Sequence, residues 1–322
     1  MMPDPGLASV AAGVATACQV LFRYPRSVSS AIAVVGVPTS LGGHLSGMER
    51  TPAELRRRGL LDRLREAGLD LRDDGDLAIE PGFRPDPDPR AQNRALIAEF
   101  LPREAAMVAA SVADGERLLI LGGDCCAHAG AMAGLRRARP DRRLAIAWFD
   151  AHGDFNTPDT TPSGNVWGMP FAMLCGRGDP DLVAACDGPT VDERHAALLG
   201  GQVLDEQESR LLAASQVAHF GAGMLGTPAG LAALEAWASA VGREVDGLYI
   251  AIDHDVLDAS GDWSVTMPEP GGLPLEAALD AVRALATAIP VVGYGATAMN
   301  FGRGDGPKTV GAAAQLASAA LG

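Results

Sequence analysis

Short, unbroken apolar runs recur along the chain and alternate with longer segments of helical period. Residues 31–38 (AIAVVGVP), 117–121 (RLLIL), 145–149 (AIAWF), 247–252 (GLYIAI) and 289–296 read as strands buried on both faces of a parallel sheet. Residues 69–76 and 216–220 read as shorter strands. Helices are expected at 51–68, 92–114, 181–200, 205–214, 231–241 and 275–288, with a terminal one from about Thr309. The first of these has its start signals in Thr51 as N-cap, Pro52 at the first position and Glu54 completing a capping box. Residues 80–90 hold four prolines (Pro81, Pro85, Pro87, Pro89) and suit an extended surface loop. Strands alternating with helices imply a parallel sheet covered on both sides. No internal repeat or break in composition divides the body. Residues 31–322 are therefore expected to form one α/β domain, with residues 1–30 as an N-terminal extension.

Composition narrows the partners. A chain of 322 residues that is 48% hydrophobic can bury a sizeable core. Its net charge of −14 argues against nucleic acid and anionic membrane. Residues 6–22 are apolar, but Asp4 is the one charge before them and Arg23 and Arg26 follow, the reverse of a signal peptide. They are also short for a span, so the expectation is a segment packed on the body or on a neighbouring subunit. Five cysteines (Cys18, Cys125, Cys126, Cys175, Cys186) without regular spacing fit a reducing, cytoplasmic compartment.

The candidate chemistry lies where two strands end. The run 145–149 closes in Asp150-Ala151-His152-Gly153-Asp154, and the run 247–252 closes in Asp253-His254-Asp255. Alternation along an extended backbone would set Asp150, His152 and Asp154 on one side, and Asp253 with Asp255 on one side with His254 turned away. Four carboxylates and an imidazole at two strand ends would repel unless cations neutralise them. That donor set is oxygen-rich and suits a divalent metal.

Taken in order, Gly122-Gly123-Asp124, D-A-H-x-D-x-N-T-P at 150–158, S-G-N-x-x-G-M-P at 163–170, D-x-D at 253–255 and P-E-P-G-G-L at 268–273 resemble the arginase–agmatinase (ureohydrolase) family. The likeness runs from about Ile32 to the last helix. It implies a three-layer αβα sandwich with a mainly parallel central sheet, an arginase-like fold. It also implies a hydrolase of linear C–N bonds (guanidino, amidine or amide, possibly amino-acid-like) and two Mn²⁺ ions bridged by hydroxide. By position, Asp150 and Asp253 would bridge the metals, His152 and Asp255 would complete one set, and Asp154 and Cys125 the other. Asp154 is expected to serve the reaction as well as the metal. Two metals lower the pKa of a shared water from about 15.7 towards about 7 and so supply a nucleophile at neutral pH. Asn156, Ser163 and Asn165 match positions that hydrogen-bond a substrate carboxylate in arginases, and Trp167 would line the substrate pocket or fill space. The implied assembly is a trimer or hexamer acting on a small molecule.

Three positions depart from that pattern. Cys125 stands where typical members place a histidine ligand, and a thiolate favours Zn²⁺ or Fe²⁺ over Mn²⁺. His128 would replace the lost imidazole only if its loop bends back. Trp167 stands where a histidine commonly shuttles protons, which indole cannot do. Ala298 takes the place of a glutamate that pairs with the substrate guanidinium. An acid that would hold an α-amino group, expected soon after Gly223, is missing from Met224-Leu225-Gly226. Glu269 is a candidate acid by its loop. Two other readings stay open here: a one-metal zinc enzyme similar to the related deacetylases, and a non-catalytic homologue.

Overall fold

The computed structural model describes residues 31–79, 89–112 and 116–322. The N-terminal extension and most of the proline-rich stretch lie outside them. The strands are β1 (Ile32–Val37), β2 (Leu71–Asp76), β3 (Arg117–Gly122), β4 (Leu144–Asp150), β5 (Ala196–Gly200), β6 (Ala218–Gly221), β7 (Gly247–Asp253) and β8 (Val291–Thr297). They form one eight-stranded sheet in the order β2-β1-β3-β8-β7-β4-β5-β6. Every pairing in it is parallel. The helices are α1 (Thr51–Arg57), α2 (Leu60–Glu66), α3 (Arg94–Ser111), α4 (Cys126–Ala138), α5 (Pro170–Leu174) and α6 (Pro180–Ala185), then α7 (Glu206–Ala213), α8 (Ala222–Leu225), α9 (Pro228–Val241), α10 (Leu275–Ala288) and α11 (Gly306–Leu321).

Alternate residues of the central strands feed two cores, one on each face. Val34, Leu119, Phe149, Ile250 and Ala296 pack under α1, α2 and α8 to α11. Val35, Ile120, Trp148, Ala251 and Leu198 pack under α3 to α7. Helix, sheet and helix thus make the three layers, as the motif resemblance implies.

Local departures have physical causes. The helix expected over 51–68 is two helices, because Gly59 takes a left-handed φ of 79° between α1 and α2. The Thr51–Glu54 capping box does not form. Thr51 Oγ1 donates instead to Met299 O at 2.7 Å, and Glu54 is drawn to Arg57 and Arg58. The helix expected over 181–200 is also corrected: α6 ends at Ala185, and residues 196–200 form β5, buried beside β4. Ala-Ala-Leu-Leu-Gly has no β-branched residue, so pairing in the sheet overrides its local preference.

The strand order puts β3, β8, β7 and β4 side by side at the centre, and their carboxyl ends open on one edge. Ligands of open α/β sheets bind at such an edge. The turn after β3 is held tightly there. Gly123 N donates to Val37 O and Gly123 O accepts from Ala298 N, and a Cβ on Gly123 would lie 1.8 Å from Thr39 O. We expect Gly123→Ala to destabilise the chain by about 1–3 kcal/mol or more, since backbone must move to admit the methyl. A urea midpoint equal to wild type would refute this.

Candidate metal centre and its cavity

Four turns after neighbouring strands build the floor of a cavity of about 470 Å³. β4 stops at Asp150, and a bend follows at Ala151 and His152. Asp154 has a left-handed φ of 47°. The two acids and the imidazole of the first motif therefore converge through a turn, and the expected extended alternation does not hold. β7 likewise ends at Asp253, and a 3-10 turn spans His254–Val256. His254 is fully buried and outside the cavity lining.

The ligand atoms of Cys125, Asp150 and Asp253 lie within 4.8 Å of one another, and so do those of Asp150, His152 and Asp255. Asp150 belongs to both groups. Asp253 and Asp255, expected on one face, thus divide between them. The Asp154 carboxylate stands outside both groups but lines the same cavity, and its Oδ2 has no hydrogen-bond partner.

The carboxylates of Asp150, Asp253 and Asp255 are held from behind. Asp150 accepts from Trp148 Nε1 at 3.0 Å and from His152 N at 2.7 Å. Asp253 accepts from Asp255 N at 2.9 Å and from the Cys125 thiol at 3.0 Å. Asp255 accepts from Ala151 N at 3.1 Å. His152 turns Nδ1 to Asp150 and Asp255, at 3.3 and 3.2 Å. Its Nε2 is 3.7 Å from Glu269, which places that acid at the cavity as its loop suggested.

The electrostatics match a cation site. Burial first, and then Asp150 and Asp253, hold the Asp154 carboxyl well above the usual carboxylate range. Burial, then Asp255 and Asp150, do the same to Asp253. Burial also pushes up the Cys125 thiol, with Asp154 and Asp253 adding to it. Burial opposes charge on His152, but Asp255 and Asp150 outweigh it and raise its pKa. Such a cluster stays ionised at neutral pH only when cations offset it. The orphaned Asp154 Oδ2 and the two ligand groups therefore fit a pair of divalent ions.

The other candidates divide. Asn156, Ser163, Asn165 and Trp167 all line the cavity. Asn156 is already engaged, donating to Asp205 Oδ2 at 2.9 Å and accepting from Thr160 Oγ1. Ser163 Oγ accepts from Asn165 N. His128 does not take the place of the lost ligand. It is fully buried on α4, with its ring nitrogens at 2.9 Å from Tyr249 OH and 3.0 Å from Thr297 Oγ1. Burial lowers its pKa to about 3. Cys126 is a buried core residue. Ala298 lines the cavity with φ 61°, where no carboxylate is available.

Two acids went unrecognised. No acid follows Gly223, and Met224 faces solvent. Instead Asp205 and Glu208, from the turn after β5 and from α7, line the cavity. Glu208 accepts from Phe155 N at 2.9 Å and so tethers the Asp154 turn, while burial raises its pKa to about 7. Both belong to a capping box at the start of α7, which reads in the sequence as a helix start only.

Fold and cavity together define a parallel α/β protein with a carboxylate-rich cluster of candidate metal ligands at its strand ends. The chain belongs to the arginase family, whose model matches residues 30–322. It is 33% identical to an arginase of Bacillus caldovelox over 245 residues, covering 75% of this chain and 81% of that one. It is 31% identical to arginase-1 of Rattus norvegicus over 249 residues, 75% of this chain and 76% of that one. The crystal structure of the Bacillus caldovelox arginase superposes with a TM-score of 0.84 at 30% identity, over 91% of this chain and 98% of that one. Family members are hydrolases of non-peptide C–N bonds, and this chain is an enzyme of that class. No helix among the described residues is long and apolar enough to cross a membrane.

Proposed function

We propose that the protein hydrolyses a small linear C–N compound, neutral or weakly cationic at the reacting carbon, with two divalent ions as cofactor. The observation that carries this reading is the pair of ligand groups sharing Asp150 at the floor of a cavity that, among the described residues, has no lysine or arginine in its lining. Cys125, Asp150, Asp154 and Asp253 would hold one ion, and Asp150, Asp253, His152 and Asp255 the other. Bound there, the ions would supply an ionisable water and polarise the scissile group.

The chain's own residues prepare that chemistry. Trp148 and the His152 amide fix the orientation of Asp150, so the shared carboxylate is set before any ion arrives. Leu45, Met48, Val203, Met267 and Trp167 form the apolar part of the wall. They exclude water and strengthen every polar contact inside. Asn165 and Ser163 offer neutral hydrogen-bonding groups to the far end of a substrate, while Asn156 orients Asp205.

Ala298 decides the substrate class within this reading. A desolvated guanidinium that meets no carboxylate at the Ala298 wall is costly to bury there, so a strongly cationic guanidino group is disfavoured relative to a neutral amide. Ala298→Glu should raise kcat/KM for a guanidino compound over an amide by about 10–100-fold, the equivalent of one hydrogen bond to a charged group. The test is metal analysis of the purified chain, followed by a urea and ammonia release screen over guanidino, amidine and amide compounds. Turnover of none of them by the metal-loaded protein would defeat the proposal.

A further inference from the structure

We propose that His44 is the proton-transferring imidazole of this site, taking over from the position that Trp167 occupies. The assignment rests on the hydrolase reading above and names a residue within it. Indole has one N–H and no basic nitrogen, so Trp167 neither takes nor gives a proton at neutral pH. Proton transfer between pH 5 and 8 falls most readily to histidine.

The chain has six histidines, and the cavity is lined by two, His44 and His152. His152 is committed to Asp150 and Asp255. His128 and His254 are sealed in the interior. His195 pairs with Glu244 and His219 with Gly200 O, both away from the cavity. His44 is the imidazole that remains.

Its setting suits the task. His44 Nδ1 lies 3.3 Å from Asn165 Oδ1. An amide oxygen only accepts, so the contact selects the Nδ1–H tautomer and leaves the Nε2 lone pair for chemistry. The imidazole sits beside the indole of Trp167, with ring centroids 6.0 Å apart and planes at 40°. The two loops are tied, since Trp167 N donates to Gly42 O at 2.9 Å. A Cβ on Gly43 would lie 2.4 Å from the indole ring. Only a loop bare of side chains at that point can carry His44 alongside the indole. Across the cavity His44 faces the acids Asp154, Asp205 and Glu269, and the His152 imidazole held between Asp150 and Asp255.

The step balances with water alone. As the water oxygen bonds to the substrate carbon, the Nε2 lone pair takes the proton that the water releases. As the C–N bond breaks, its electron pair becomes the leaving nitrogen's lone pair, and that nitrogen takes the proton from Nε2, which returns the ring to its neutral Nδ1–H form.

The experiment uses the full chain reconstituted with Mn²⁺ and, as substrate, the compound from the screen with the highest turnover. His44→Ala should lower kcat by about 10²–10⁴-fold while KM and metal content stay near wild type. Added imidazole should restore kcat in proportion to its concentration, and His44→Ala combined with Trp167→His should recover rate without it. Independently of activity, ¹⁵N spectra of the neutral His44 ring should show the proton on Nδ1. Wild-type kcat in His44→Ala, a loss that imidazole does not rescue, or a proton on Nε2 overturns the assignment alone. A wild type that turns over no screened compound overturns the hydrolase reading and the assignment with it.

Discussion

Asp150→Asn is expected to remove both cations at once and to lower kcat/KM by on the order of 10³-fold or more, since ions and nucleophile are lost together. Asp150 is common to the two ligand groups, so its loss differs in kind from that of Asp255, which belongs to one group. Elemental analysis should find about two ions per chain in wild type, fewer than one in Asp150→Asn and about one in Asp255→Asn, because affinity falls with each anionic ligand removed. The thermal midpoint gives a second readout. An ion a hundredfold above its Kd stabilises the folded state by about 2.7 kcal/mol, or about 4 °C for a chain of this size. Wild type should gain that shift on metal addition and Asp150→Asn should not. Equal midpoints for the two proteins in chelator would show that the variant still folds. A variant that keeps the wild-type metal content would remove Asp150 from the centre.

The second large effect is expected at Cys125. Its thiol lies 3.0 Å from Asp253 and within the Asp150–Asp253 ligand group. A thiolate there favours softer ions than the carboxylates around it do. Cys125→His should therefore raise preference for Mn²⁺ over Zn²⁺ by at least the 10–100-fold that outer-shell partners alone contribute. With Co²⁺ in place of the native ions, wild type should show a thiolate-to-metal charge-transfer band in the near ultraviolet. Cys125→His and Cys125→Ser should both lose it. Cys126→Ser should keep it, since that side chain is core-buried and outside both ligand groups. Survival of the band in Cys125→Ser would exclude Cys125 as a ligand.

The apolar runs that become β1, β3, β4, β7 and β8 were legible in the sequence because strands buried on both faces must be apolar throughout. The acid clusters were legible because acids two apart directly after such runs have few structural uses. Together with the 163–170 and 268–273 motifs they were enough to point to the family. β5 was not legible, since Ala-Ala-Leu-Leu-Gly suits a helix as well as a strand. Missing that strand hid Asp205 and Glu208, whose turn lies at the sheet's open edge only if residues 196–200 are in the sheet.

The sequence by itself thus determined the alternation of strand and helix, the donor residues and the three departures from the family pattern at Cys125, Trp167 and Ala298. The tertiary structure decided who meets whom. β8 and β7 insert between β3 and β4, and that brings Cys125 against Asp253 across 128 residues of chain. It also decided that Asp150 is shared, that His128 is spent on Tyr249 and Thr297, and that His44 stands beside Trp167. Spacing along a strand sets only local direction, whereas a centre built from four strand ends depends on their order in the sheet, which the burial of two opposite faces selects.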